Sequence, residues 1–291
     1  MKQRPKKPTW IWQVMRFLIA SSKQHAFLDR AWIPWLFSIT PSFWRKSLAL
    51  RLLSLSPHYW VYQWTQKYAT VSRRRALIAE YERNLLSRLE LCDKLLAPLL
   101  RREMKVLDFG CGPGFLAKAV SAHVLHVTAT DISRGVIACA KELNSASNLT
   151  YRVNSPSRLA GIRDGDIDLV YSFAVFQHLR KEDAEIFLRE FLRVLKPGGK
   201  IVCHMILKEP NEPRATDPSI GNWIRQRVNL RMVYFTPGEA LTLFCQVGIK
   251  NLQITSVNSL AQVNDDIGRE HLIIGYRQDA EQQTRPLRRV A

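Results

Sequence analysis

The stretch that most constrains this chain is Val106-Leu107-Asp108-Phe109-Gly110-Cys111-Gly112-Pro113-Gly114-Phe115. Met104–Phe109 reads as a short apolar strand and Phe115–Ala122 has helical spacing, so three glycines in five residues stand where a strand turns into a helix. Glycine there lets the backbone turn tightly and approach a ligand closely, beside the positive end of a helix. The spacing is G-x-G-x-G, and Phe115 occupies the place of the third glycine in a dinucleotide-binding turn. Asp108 lies two residues before the first glycine. A carboxylate aimed into the turn repels a pyrophosphate but can pair with an ammonium or a zwitterion. A second acid, Asp131, follows 23 residues later at the tip of the next strand, His126–Thr130. It either accepts two hydrogen bonds from a ribose diol or merely caps the next helix.

The pattern then continues as strand and helix in alternation. A helix is expected over Ser133–Leu143 with Ser133 as N-cap, strands over Leu149–Val153 and Ile167–Phe173, a helix from Lys181 to Leu195, and a strand over Lys200–Leu207. Lys196-Pro197-Gly198-Gly199 is expected to stop that helix. After residues 208–234 come a helix, Pro237–Val247, and two strands, Asn251–Val257 and His271–Tyr276, read as a closing antiparallel pair. Upstream, residues 76–102 read as a helix with Leu85, Leu86, Leu89, Cys92, Leu96, Leu99 and Leu100 on one face, kinked or ended by Pro98. The expected fold class is α/β: a doubly wound, Rossmann-like seven-stranded sheet with a C-terminal antiparallel strand pair and an N-terminal helical extension. The expected division is 1–76 for the extension, 77–279 for the α/β domain and 280–291 for a basic tail.

Four motifs in series carry a family resemblance: Val106–Gly114, Thr130-Asp131-Ile132-Ser133, Asp168-Leu169-Val170-Tyr171-Ser172-Phe173 leading to Gln177-His178-Leu179, and Leu192–Gly199. The chain resembles a class I S-adenosylmethionine-dependent methyltransferase over about residues 80–277. The resemblance implies S-adenosyl-L-methionine as cofactor, with Asp108, Gly110, Cys111, Gly112 and Gly114 around its methionyl part. It further implies Asp131 on the ribose, Ile132 on the adenine, and Phe173 near the methionyl group and the acceptor. The chain departs from the family pattern at Ser155-Pro156, where an acid and a free backbone N–H often meet the adenine. Serine can still bond the exocyclic amine, but proline offers no N–H, a loss of about 0.5–1.5 kcal/mol.

A sulfonium methyl is already activated, so the enzyme has mainly to align it with a nucleophile and exclude water. His178 is the candidate base; it is equally readable as a capping or packing residue, and Gln177 could orient an acceptor. Cys111 reads as a small packing residue and Lys181, Glu182 and Asp183 as a solvated helix start.

Composition divides the chain into unlike pieces. Of a net charge of +18, residues 1–75 carry +13, with Asp29 their one acid, and they hold seven of the eight tryptophans. This front reads as a membrane-interface segment on anionic lipid, as a helical lid over the acceptor site, or, less well, as a nucleic-acid contact. The first 24 residues loosely resemble a targeting segment, but Gln13 and Arg16 interrupt its apolar stretch and no A-x-A site follows. Uncharged runs of about 15 residues, broken by Pro34, Pro41 and Pro57, are too short to cross a bilayer. Five scattered cysteines with no CxxC pair point to reduced thiols in the cytoplasm, and no metal site is expected.

These residues predict a methyltransferase acting on a small, hydrophobic or lipid-like acceptor, peripheral on the cytoplasmic membrane face. The alternatives are an RNA methyltransferase and a non-catalytic binding module of the same fold. The Asn/Asp-Pro-Pro-aromatic motif of many base N-methylating enzymes is absent, Ser172-Phe173-Ala174-Val175 standing in its place. The acceptor atom and the oligomeric state are not readable from the residues.

Overall fold

The apolar run after Met104 becomes β1 (Lys105–Phe109), whose alternate side chains go to opposite faces of a sheet. The computed structural model describes residues 28, 30, 32–55, 72–208, 233–257 and 270–278. Trp10, Trp12, Trp60, Trp64, Trp223, Arg225, Arg227, Arg231 and the tail 280–291 lie outside the described residues.

The chain runs α1 (Trp32–Ile39), α2 (Ser42–Leu55), α3 (Arg73–Leu91), β1, α4 (Phe115–Ser121), β2 (His126–Asp131), α5 (Arg134–Leu143), β3 (Leu149–Val153) and β4 (Ile167–Ser172). It continues through α6 (Lys181–Val194), β5 (Leu195–Ile206), α7 (Pro237–Val247), β6 (Ile249–Ser256) and β7 (Glu270–Arg277). The sheet has seven strands in the order β3-β2-β1-β4-β5-β7-β6, with β1 to β5 parallel and β7 antiparallel to both neighbours. This is the doubly wound sheet with a closing antiparallel pair that the sequence pattern predicts. The winding reverses between β1 and β4, and such a switch point leaves a crevice beyond the strands' C-terminal ends.

Pleating divides the core. Leu107, Phe109, Val170 and Ile201 pack on one face under Phe187, Leu188 and Phe191 of α6 and Phe244 of α7. Val106, Leu169, Tyr171 and Val202 pack on the other under α3, α4 and α5. A third layer lies outside that second face. Ile33 and Phe37 of α1 and Ala49, Leu50, Leu52 and Leu53 of α2 pack on Phe115, Val136, Cys139 and Leu143. The described part of the extension is therefore seated on α4 and α5. Arg45 fixes its bend, donating to the Thr40 carbonyl (2.8 Å) and facing Glu142 of α5 (3.7 Å).

Two expectations need correction. The leucine face over 85–100 is only partly the buried one: Leu86 and Leu89 are exposed, Leu85, Cys92, Leu96, Leu99 and Leu100 pack inward, and Ala76, Leu77, Glu80, Asn84 and Leu91 are buried as well. Glu80 tolerates burial because Arg83 and Asn84 donate to its carboxylate, so a polar pair occupies core positions that an apolar pattern cannot mark. A π turn, Cys92–Leu96, then adds a residue to the helical repeat and turns Cys92 and Leu96 inward, before a 3₁₀ turn carrying Pro98 ends the segment. Second, the Pro197-Gly198-Gly199 segment is not a gap between helix and strand. Leu195 already pairs with Ile167 and Lys200 with Leu169, so these residues form a bulge inside β5.

Gly135, at the start of α5, shows how tightly the extension is seated. A Cβ there would lie 2.1 Å from the Leu28 carbonyl oxygen, whereas one on Gly238 in α7 would meet nothing within 4 Å. Gly135→Ala should therefore lower stability by about 1–3 kcal/mol. Gly238→Ala should be neutral or stabilising by up to about 1 kcal/mol. Thermal melting of both variants checks the pair.

Candidate functional site

The end of β1 is held by the end of β2. The Thr130 carbonyl accepts from the N–H groups of both Gly110 and Cys111, each at 2.8 Å. The Asp131 carboxylate then accepts from Gly112 N–H (3.0 Å) and from Ser133 N–H at the start of α5 (2.9 Å). Thr130 and Ser172 hydroxyls donate to the carbonyls of Asp108 (3.1 Å) and Phe109 (3.0 Å). Asp108, Gly110, Cys111, Gly112, Gly114 and Asp131 are thus brought together in one loop with fixed backbone directions.

Glycine is required there. Gly110, Gly112 and Gly114 have φ of 75°, 52° and 82°, a region that side chains rarely adopt. A Cβ on Gly110 would stand 2.3 Å from Val175 Cγ2, and one on Gly114 2.1 Å from the Tyr151 hydroxyl. The first contact means that the turn after β4 closes directly on the turn after β1, across the switch point.

Asp108 is opposite Tyr171 in the β1–β4 register, so the two side chains share a face. Asp108 is 2% exposed, and its Oδ2 and the Tyr171 hydroxyl complete no hydrogen bond among the described residues. Burial, with a smaller contribution from the nearby Asp131 charge, pushes the Asp108 carboxyl up to about 8, while the Tyr171 hydroxyl opposes the shift. A buried carboxyl held protonated by its surroundings ionises readily when a cation is placed beside it. Cys111 is partly buried, its thiol donating to the Gly112 carbonyl (3.5 Å). Burial first, then Asp108 and Asp131, raises that thiol well above its ordinary range. A thiol held protonated in this way is a weak nucleophile.

Beyond the turn, Ile132 is 51% exposed next to Asp131, an apolar side chain half open to solvent. The Ser155 hydroxyl donates to the Arg158 carbonyl (2.8 Å), which leaves it free only to accept. Phe173 stacks on His204 (5.5 Å between centroids, 17°) and meets Tyr171 edge-on. His178 ends a 3₁₀ turn, Phe176–His178, one residue after the buried Gln177.

Three residues around this loop escaped the sequence reading: Tyr171, His204 and Glu270. His204 is 1% exposed, accepts weakly from Ala174 N–H (3.4 Å), and stands 3.9 Å from the buried Glu270 carboxylate. Ala174 has φ 57°, a strained backbone that His204 helps to hold. The signal for His204 was an imidazole inside the otherwise apolar run Ile201–Leu207. Gln177, Asp108, Tyr171, His204 and Glu270 each keep a buried side-chain atom without a hydrogen-bond partner among the described residues. Away from this loop, Cys92, Asp93 and His123 come within 4.8 Å of one another, a cluster that the scattered spacing did not indicate. Burial first, then the Asp93 charge, pushes the Cys92 thiol up to about 12.

Residues 107–203, from β1 into β5, match the protein family described as "Methyltransferase domain". Among curated relatives, a ubiquinone biosynthesis O-methyltransferase of Xanthomonas oryzae is 32% identical over 108 residues, 36% of this chain and 44% of that protein. The match thus spans less than half the length of that relative. Among solved structures, a chain of the complex between a Haloferax volcanii methyltransferase activator and the putative methyltransferase superposes with a TM-score of 0.53 at 18% identity. It covers 69% of this chain and 93% of its own. Haemonchus contortus phosphoethanolamine N-methyltransferase 2, in complex with S-adenosyl-L-methionine, gives 0.51 at 16% identity, covering 68% of this chain and 53% of its own. The chain shares its fold with these two structures.

Because the folded Asp108 carboxyl sits above its unfolded value of 3.8, it favours the folded state when protonated. Stability should decline as pH rises from about 4 to about 8, and Asp108→Asn should flatten that decline. Urea unfolding at intervals of one pH unit checks this.

Proposed function

We propose that this chain transfers a methyl group from S-adenosyl-L-methionine to a small, hydrophobic or lipid-like acceptor. The observation that carries the reading is the buried Asp108 carboxylate, unpartnered at Oδ2, beneath a glycine turn at the sheet's switch point. An ammonium placed at that oxygen satisfies it and draws it into its ionised form, which is what the methionyl end of the cofactor offers. The Asp131 carboxylate has lone pairs beyond those taken by Gly112 and Ser133, enough for a ribose diol. Ile132 receives the adenine, and Ser155 accepts from its exocyclic amine.

The cofactor, when bound, supplies an electrophilic methyl group on a sulfonium. The protein's task is alignment. The post-β4 turn that touches Gly110 through Val175 also carries Phe173, Gln177 and His178, so acceptor contacts and cofactor contacts stand on abutting loops. Holding two reactants in line in this way is worth up to about 7–11 kcal/mol. The O-methyltransferase name of the curated relative favours an oxygen nucleophile. His178 would accept the proton that such a nucleophile has to lose. A bilayer is the natural store of such an acceptor, which places the enzyme at the cytoplasmic membrane face. The division into an extension at 1–76, a methyltransferase domain at 77–279 and a tail belongs to the same proposal.

Calorimetric titration with S-adenosylhomocysteine tests the cofactor site. Wild type should bind in the micromolar range and Asp131→Ala at least about tenfold more weakly, since the change removes two hydrogen bonds to a charged acceptor as well as the ribose contact. Affinity should also rise from pH 6 to pH 8 as Asp108 ionises more readily. Absence of binding by wild type would defeat the proposal. With labelled cofactor and a cell lipid extract, His178→Gln should slow product formation by about 10²-fold or more while leaving cofactor affinity unchanged.

A further inference from the structure

Helix α1 is apolar on two faces. Ile33 and Phe37 are buried, whereas Trp32, Trp35 and Ile39, at spacings of three and four, are 41%, 58% and 56% exposed. Helix α2 repeats the arrangement. Its buried residues Ala49, Leu50, Leu52 and Leu53 join the cluster that holds Ile33 and Phe37, while Phe43 and Trp44 in its first turn are 76% and 64% exposed. Their rings meet edge-on at 5.6 Å. Arg51, seven residues beyond Trp44, is on the same outward face and exposed. Both helices are seated on one support, α4 and α5, so these outward faces lie on the same side of the molecule.

Five large apolar side chains within thirteen residues thus meet solvent on a layer that is already fully seated. A helix apolar on all sides is ordinarily enclosed in a core or in a membrane. The charges that this stretch of chain itself carries have one sign. No charged residue occurs from 31 to 44 and no Asp or Glu from 30 to 79, while Arg30, Lys46, Arg51, Arg74 and Arg75 are exposed. Two tryptophans, which have an apolar body and a polar N–H, sit well at the boundary between hydrocarbon and headgroups.

We infer that the outward face of α1 and α2 docks on an anionic lipid surface, with Trp32, Trp35, Ile39, Phe43 and Trp44 at headgroup depth and the flanking cations on lipid phosphates. A second copy of the chain fits less well, because it would bring Arg30, Lys46, Arg51, Arg74 and Arg75 toward the same cations of its partner. Nucleic acid fits less well too, because cations would have to stand where the apolar side chains stand. The surface does not depend on methyl transfer and is tested without it.

The test is co-sedimentation of the full chain with phosphatidylcholine vesicles containing about a third phosphatidylglycerol, and with phosphatidylcholine alone. The expected result is salt-sensitive binding to the anionic vesicles only. Replacing Trp35, Phe43 and Trp44 together by Ala should reduce that binding at least about tenfold. Because all three are exposed, the melting temperature and S-adenosylhomocysteine affinity of the variant should match wild type. No wild-type binding, or equal binding by the variant, would overturn the inference. A wild-type dimer in sedimentation velocity that the variant abolishes, with vesicle binding unaltered, would assign the face to a second copy instead.

Discussion

Everything at the upper edge of this sheet hangs on the residues that end β2. Thr130 gives its carbonyl to two successive N–H groups of the glycine turn, and Asp131 gives one carboxylate oxygen to Gly112 and the other to Ser133. A loop of three glycines would otherwise pay the largest backbone entropy loss of any segment of its length. Three hydrogen bonds to one neighbouring dipeptide hold it, and one of them goes to a charged acceptor, where it is worth about 1.5–3 kcal/mol. The same carboxylate tethers the start of α5. The helix on which the N-terminal layer rests and the loop proposed to hold the cofactor are therefore positioned by one side chain.

The β1–β2 half of this arrangement was legible in the sequence because its constraints are local. Glycines at positive φ, an acid two residues before them and another at the tip of the next strand are all marks within a window of 25 residues. The strands were legible because they are short apolar runs with glycine, proline or polar residues between them. Ser133 as N-cap was legible for the same reason, its hydroxyl accepting from Val136 N–H. The helix does end before Pro197-Gly198-Gly199, at Val194, but these residues also form a bulge that the sequence did not announce. The bulge depends on Ile167 lying alongside to pair with Leu195.

What the sequence did not disclose is polar burial, a property of pairs and not of single residues. Glu80 enters the core only because Arg83 and Asn84 come with it. Tyr171 reads as a strand aromatic until the register sets it opposite Asp108. His204 and Glu270 are 66 residues apart, and only the antiparallel docking of β7 on β5 brings imidazole and carboxylate together. The exposed aromatics of α1 and α2 were visible as composition but not as geometry, since either face of such a helix could have been the buried one.

The placement of β7 also sets an order of assembly. β6 is made first but among the described residues pairs only with β7, which itself enters between β5 and β6. Until residue 277 has been synthesised, the outer edge of β5 stands open along Ile201–Ile206, apolar and ready to pair with any extended chain. When β7 arrives, Arg277 at its end reaches the free carbonyls of Leu192 and Leu195, closing the end of α6 in the same movement. The last strand of the sheet thus works as a bolt, and a nascent or truncated chain that lacks it is left with an unguarded edge.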